Sequence, residues 1–503
     1  MYKKIARTSS LLLTGLLFIS LSGFSYGSNA HPVRNDNPRP NVLMIMVDDL
    51  RPDIGCYGNI DVKTPNIDRL AAKAVVFKRQ FVTVPTCGAS RASFITGMLP
   101  RNTNDLSNEA FGFKQAARTS NDPESFVHHL RNHGYYTVGI GKVSHSPDGY
   151  VYNYNQKRSN QLELPKSWDE MLFNAGKWDT GWNAFFGYAD GSNRNNQNGS
   201  VRPYENKTVD DEGYPDGLTA LLAIEKIQRL KDKQQPFFMG IGFFKPHLPF
   251  NAPQKYWDLY DREKLVLSPS NTIPYHVNTA SLHNSDEFNR YRLGEEKVSL
   301  SKPVSDEYAR KLRHAYYAGV SYVDAQIGKV LDELEKSGLD ENTIVVLWGD
   351  HGWHLGDNRV WGKHTLSDWA LRSPLIIKLA GDGRKGAVSE KIVSSIDVYP
   401  TLMELCNIKM PYKADGTSLV PLLKDPNSAV WKNVAYSYFR RGISMRNDRY
   451  RFTRYFRNEK PLDELYDHVA DPFGNSNIAV NNSKLIEELL PTWKEGDTKL
   501  YIK

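Results

Sequence analysis

Two apolar runs in this chain stop abruptly at acids. Val42-Leu43-Met44-Ile45-Met46-Val47 is apolar at even and odd positions alike, as a strand buried on both faces requires, and it ends in Asp48-Asp49. Thr343-Ile344-Val345-Val346-Leu347-Trp348 repeats the design and ends in Gly349-Asp350-His351. Further strands are expected at 136–140, 237–243 and 375–379, each separated from the next by helical pattern. The clearest helix is expected at 306–337, where Leu312, Tyr316, Val320, Val323, Ile327, Val330 and Leu334 recur at helical spacing and Gly338 follows as a stop. Strands alternating with helices predict an α/β fold: a large, mostly parallel sheet covered by helices on both faces. Ligands of open α/β sheets collect beyond the carboxyl ends of the strands, so Asp48, Asp49 and Asp350 are expected to converge there.

Three stretches depart from this rhythm. Residues 146–206 are rich in Asn, Gly, Tyr and Trp, include the polar run Asn193-Arg194-Asn195-Asn196-Gln197-Asn198, and read as a surface insertion. From 415 to 503 short β-like pieces at 434–439 and 450–455 precede a helix near 484–490, which predicts a small α+β C-terminal subdomain with an antiparallel sheet after a catalytic domain at 38–414. At the N-terminus, Lys3, Lys4 and Arg7 precede an apolar run from Leu11 to about Phe24, with small residues near Gly27 and Ala30; residues 1–30 read as a cleaved signal peptide, giving an exported, periplasmic protein with no stable membrane anchor.

Composition adds little beyond this. The 503 residues carry 64 Lys and Arg against 57 Asp and Glu, a formal charge of +7. Three of those cations lie in residues 1–30, leaving 7 − 3 = +4, a balance that suits a polyanionic substrate and gives no indication of nucleic-acid binding. Only Cys56, Cys87 and Cys406 are present, too few for a disulfide framework in an exported chain. Cys406 reads as a small buried apolar residue.

Cys87 stands in different company. It opens Cys87-Gly88-Ala89-Ser90-Arg91, with Pro85-Thr86 before it and Thr96-Gly97 beyond, the pattern of a short helix beginning at the cysteine. Free N–H groups at a helix start favour anions, and Arg91 lies one turn along. By itself this arrangement fits either a reactive thiol or an inert neighbour of the cap.

The C-x-A-S-R sequence with its following T-G resembles the maturation signature of type I, formylglycine-dependent sulfatases, whose fold is alkaline phosphatase-like. The resemblance extends over Gly141-Lys142-Val143-Ser144-His145, Lys245-Pro246-His247-Leu248-Pro249-Phe250, the Tyr316 to Asp324 stretch, Gly349 to Gly356, Ser394 to Leu402 and Glu464-Leu465-Tyr466-Asp467. Within the family it is nearest to the iduronate-2-sulfatase branch and to bacterial polysaccharide sulfatases, including those acting on ulvan. It implies that a maturation enzyme oxidises Cys87 to formylglycine, the nucleophile, and that Arg91 supports it. Asp48, Asp49, Asp350 and His351, with residue 87, would hold one Ca2+ ion, for which carboxylates are suitable hard ligands. Lys142 and His145 would steady and deprotonate the nucleophile, while His247 and Lys363 would contact the sulfate. Trp353 would line the substrate pocket, and the substrate would be a sulfated oligosaccharide. Two other readings share these residues: a phosphoester hydrolase of the same superfamily, and a glycan-binding protein whose Cys87 is never modified.

Overall fold

In the computed structural model, which describes residues 39–111, 123–383 and 385–501, the two acid-ended runs lie side by side. The main sheet consists of β1 (Asn41–Val47), β2 (Val75–Phe81), β3 (Tyr136–Gly141), β4 (Glu170–Leu172), β5 (Phe237–Phe243), β6 (Thr343–Gly349), β7 (Leu375–Lys378) and β8 (Ala387–Ser394). Their spatial order is β8-β2-β7-β6-β1-β5-β3-β4. Only β7 runs antiparallel to its neighbours, so the sheet is mixed and mostly parallel. Val47 pairs with Phe243 on one side and Gly349 on the other. That register brings the residues after three central strands out at one edge.

The alternation along β1 divides the core into two layers. Leu43, Ile45 and Val47 face the layer built on α2 (Pro215–Leu230) and α3 (Asp306–Lys336), whereas Val42, Met44 and Met46 face the layer containing α1 (Cys87–Thr96). Every residue of β1 is buried, which is why the run carries no polar position. The seven periodic apolar residues expected on the long helix are all buried in α3, each worth about 1.5–3 kcal/mol of burial. Helices therefore cover both faces of the sheet, the α/β arrangement that the sequence predicts.

Beyond this core, β9 (Ala435–Phe439), β10 (Gly442–Arg446), β11 (Tyr450–Tyr455) and β12 (Leu462–Asp467) form an antiparallel sheet. The helix α4 (Ser483–Glu495) lies against it, with Trp493 and Leu489 sharing a cluster with Ile443, Phe452 and Leu465. This small sheet is fastened to the large one: Tyr438 N–H donates to Thr83 O at 2.7 Å and Ser437 Oγ to Val82 O at 2.6 Å.

The structure departs from expectation at 146–206. Instead of a surface excursion, this segment supplies β4, which pairs with β3 at the sheet edge. It also builds an aromatic cluster of Tyr152, Trp178, Trp182, Phe185 and Phe186 around Phe244. Its many Asn and Gly residues make turns, while the aromatic side chains between them point inward. The expected signal peptide at 1–30 lies outside the described residues. No described helix is long and apolar enough to cross a membrane.

Candidate active site

The chain beyond β1 turns sharply. Asp49 has φ 59°, a left-handed conformation uncommon for a non-glycine residue and one that collects at functional sites. Two contacts hold it there: the Asp49 N–H donates to Asp350 Oδ1 at 3.0 Å, and the Tyr316 hydroxyl of α3 donates to Asp49 O at 2.6 Å. The acids after β1 and β6 are thus tied to each other and to the long helix.

Cys87 is the first residue of α1 and is buried with the rest of that helix. Its sulfur lies 3.2 Å from His351 Nε2 and 3.4 Å from Lys363 Nζ. One turn on, Arg91 Nε donates to Asp350 Oδ2 at 2.9 Å, and its NH2 lies 3.9 Å from Asp48 Oδ1. After β3, Gly141 takes φ 71° and turns Lys142 toward the cluster, where its ammonium pairs with Asp48. Gly242 on the neighbouring strand leaves room for this turn, since a Cβ there would meet Lys142 O at 2.0 Å. Lys363 completes the ring, with Nζ 2.8 Å from Asp49 Oδ1. His247, after β5, has Nε2 3.7 Å from Asp49 Oδ2.

Burial and neighbouring charges push the adjacent acids Asp48 and Asp49 in opposite directions. Burial alone would raise Asp48, but Lys142, His247 and Arg91 hold it well below the usual carboxylate range. Burial and the Asp48 charge push Asp49 well above that range, against the opposing pull of Lys363. Asp48 Oδ1 and Asp49 Oδ2 are buried without a hydrogen-bond partner. Two partnerless carboxylate oxygens beside Asp350 make a hard donor set that fits a divalent cation, and Asp48, Cys87, Asp350 and His351 offer ligand atoms close enough to share one. His351 Nδ1 contacts Gly352 O at 3.0 Å and must be its donor, so in the neutral ring the Nε2 lone pair faces the cluster.

Burial pushes the Cys87 thiol up to about 12, so the unmodified side chain is protonated at neutral pH and a poor nucleophile. Lys363 and Lys142 are raised by their acidic partners despite burial, and both remain ammonium ions. His145 sits at the rim, half-buried, with its ring 5.4 Å from Trp182. Burial and Lys142 hold His145 well below 6.5, leaving a neutral imidazole able to accept a proton. Burial and Lys363 push His247 down to about 4.

Ten of the eleven expected site residues therefore lie on this cluster or at its rim. Trp353 packs behind the cluster's Lys363 and His247. Its ring is buried, packed against Phe250 and lying 5.1 Å from the Lys363 ammonium and 6.5 Å from the His247 ring. Glu287 is a site residue the sequence analysis missed. Its Oε1 lies 3.2 Å from His247 Nε2 and 3.4 Å from Lys363 Nζ, and the Lys363 ammonium holds it well below the usual range although burial opposes this. It stands immediately before a short 3-10 helix (Phe288–Arg290), with no strand end or motif to mark it. The aromatic wall from 146–206 closes one side, with Phe185 4.5 Å from the His247 ring and 4.2 Å from the Lys142 ammonium.

A buried carboxylate pocket, a ring of fixed cations and residue 87 at a helix start describe a hydrolase for anionic esters. The family model described as Sulfatase matches residues 40–408, and one described as N-sulphoglucosamine sulphohydrolase, C-terminal, matches residues 349–495. The chain belongs to the sulfatase family and is an enzyme that hydrolyses sulfuric esters. A sulfatase of Formosa agariphila is 30% identical over 523 aligned residues, covering 97% of this chain and 93% of that one. Iduronate 2-sulfatase of Homo sapiens is 30% identical over 398 residues, covering 74% of this chain and 70% of its own length. The phosphonate monoester hydrolase of Agrobacterium radiobacter shares the fold, with a TM-score of 0.71 at 23% identity, covering 92% of this chain and 95% of that one.

Proposed function

We infer that this enzyme removes sulfate from a sulfated carbohydrate, a uronate-containing or algal polysaccharide fragment, using a formylglycine made from Cys87 and one Ca2+ ion. The observation that carries this reading is the position of the Cys87 sulfur, within 3.4 Å of both Lys363 Nζ and His351 Nε2 at the start of α1. That sulfur marks where the oxygen atoms of the modified side chain would stand. Hydrated formylglycine would offer two hydroxyls on one carbon, one to attack sulfur with departure of the sugar alcohol and the other to expel sulfate as the aldehyde re-forms. Asp48, Asp49, Asp350 and His351 would hold the Ca2+ ion, which would supply positive charge to the anionic ester.

The chain's own residues perform the remaining tasks. Lys142 and Arg91 neutralise Asp48 and Asp350, which fixes the carboxylates for a cation. Lys363 and His247 face the same space and are placed to hold the anionic ester as charge grows on the leaving oxygen. His145, neutral at the rim, accepts the proton of the attacking hydroxyl. The resemblance to iduronate-2-sulfatases and algal-polysaccharide sulfatases supports a carbohydrate substrate. The N-terminal segment 1–30 supports export to the periplasm, and the C-x-A-S-R sequence supports a formylglycine-generating enzyme as a partner. Parallel assays on nitrophenyl sulfate, nitrophenyl phosphate and sulfated oligosaccharides from glycosaminoglycan and ulvan test the reading. Release of sulfate from the oligosaccharides is expected; preference for the phosphate ester would overturn it.

A further inference from the structure

The asparagine-rich run in 146–206 holds a cation that the mechanism above does not use. Arg194 is 6% exposed, and its guanidinium lies 3.6 Å from the Phe186 ring centroid, 5.5 Å from Tyr291 and 5.8 Å from Tyr154. The ion pairs of the site engage Lys142, Lys363 and Arg91; among the described residues none includes Arg194. A buried charge without a counter-charge is costly, and it persists where something else supplies the opposite charge.

The residue is also held in place. Its N–H donates to Phe186 O at 3.2 Å and its carbonyl accepts from Gly199 N–H at 2.8 Å. The buried Asn193 folds the turn around it, Oδ1 accepting from the N–H groups of Asn195 and Asn196, each at 2.9 Å. The side chain is separated from the catalytic cluster by one aromatic layer. Phe186, on which it stacks, lies 6.3 Å from the His247 ring, and half-buried Tyr154 lies 4.6 Å from Trp182, itself beside His145. Tyr291 feels the charges of Arg194, Glu287 and Lys363 together. Glu287, the acid of this neighbourhood, is already paired with Lys363 and His247.

We propose that Arg194 binds a second anionic group of the sulfated substrate, a carboxylate or a further sulfate, and so sets a preference for polyanionic sugars. A planar guanidinium suits either oxyanion. The inference rests on the sulfatase reading, because it needs the ester to be held at Lys363 while the second group reaches the aromatic rim.

The test is a selectivity ratio. kcat/KM is measured for matured wild type, Arg194→Gln and Arg194→Lys on three probes: nitrophenyl sulfate, a monosulfated uronic acid glycoside and a disulfated neutral sugar. Arg194→Gln is expected to lower the ratio of a doubly anionic probe to nitrophenyl sulfate by roughly tenfold or more, chiefly through KM, with Arg194→Lys retaining more of it. A fall with the uronate probe identifies a carboxylate as the partner, and a fall with the disulfate identifies a second sulfate. A merely structural arginine would lower all three values together. An unchanged ratio in Arg194→Gln overturns the proposal, whereas wild type inactive on every sulfate ester would overturn the sulfatase reading instead.

Discussion

The Lys363 ammonium stands 3.4 Å from the Cys87 sulfur and 2.8 Å from Asp49 Oδ1. One side chain from a loop after residue 360 thus joins the start of α1 to the end of β1. It provides fixed positive charge beside the reacting position in a site where water is largely excluded, and such charge is worth far more there than at a surface. Lys363→Met, which keeps the stem and removes the charge, is expected to reduce kcat/KM on sulfate esters by about 10²–10³. Steady-state kinetics on folded, matured protein provide the check.

The partnerless oxygens of Asp48 and Asp49 predict a metal requirement that can be read without turnover. Protein dialysed against chelator should lose thermal stability and regain it on addition of Ca2+, because a ligand that binds only the folded state adds about 2.7 kcal/mol at a hundredfold excess over its Kd. Asp350→Asn should remove that Ca2+-dependent rise in Tm. Calorimetry with and without Ca2+ measures both, and an equal rise in the variant would move the ion away from these carboxylates.

Behind the cluster, Arg51 fixes the loop that carries Trp353. It donates to Asp357 Oδ2 at 2.7 Å and to Trp353 O at 2.9 Å, and pairs with Asp53 at 3.0 Å. Arg51→Met takes the nearest cation from buried Asp357, leaving it the Ser268 hydroxyl and the Leu355 N–H as hydrogen-bond donors, and is expected to cost about 3–5 kcal/mol in denaturant unfolding. Burial alone would raise Asp357, yet Arg51 holds it at about 2, below its unfolded value of 3.8. The stabilisation linked to Asp357 is therefore complete above the unfolded value and is lost as the pH falls through about 2. Acid unfolding of wild type should show this loss, and Arg51→Met should flatten it.

The parts of the fold that were legible were those whose burial leaves a pattern. β1 and β6 are apolar on both faces, and α3 repeats its apolar stripe over many turns, so core packing wrote them into the sequence. β2 escaped notice because Lys78 and Arg79 interrupt it toward the sheet margin. β8 escaped because several of its residues face solvent. The inward turn of 146–206 was hidden because its aromatic core is scattered between turn-forming Asn and Gly. Among the site residues, those on strand ends or in family motifs could be found. Glu287 could not, because only the fold brings a carboxylate from an irregular stretch to His247 and Lys363. Trp353 carried a motif position without revealing which way its ring would face.

The chemistry assigned to position 87 also predicts its variants. Cys87→Ala should fold, with a melting temperature near that of wild type in chelator, and show no turnover, since α1 is held by packing along its whole length. Full activity in this variant would remove residue 87 from the reaction.

The most direct measurement is peptide mass spectrometry at Cys87 across preparations of differing activity. Conversion to formylglycine exchanges one sulfur and two hydrogens for one oxygen, and sulfatase activity is predicted to rise in proportion to the converted fraction. Full sulfate-ester hydrolysis by a preparation in which Cys87 remains a thiol would contradict the account.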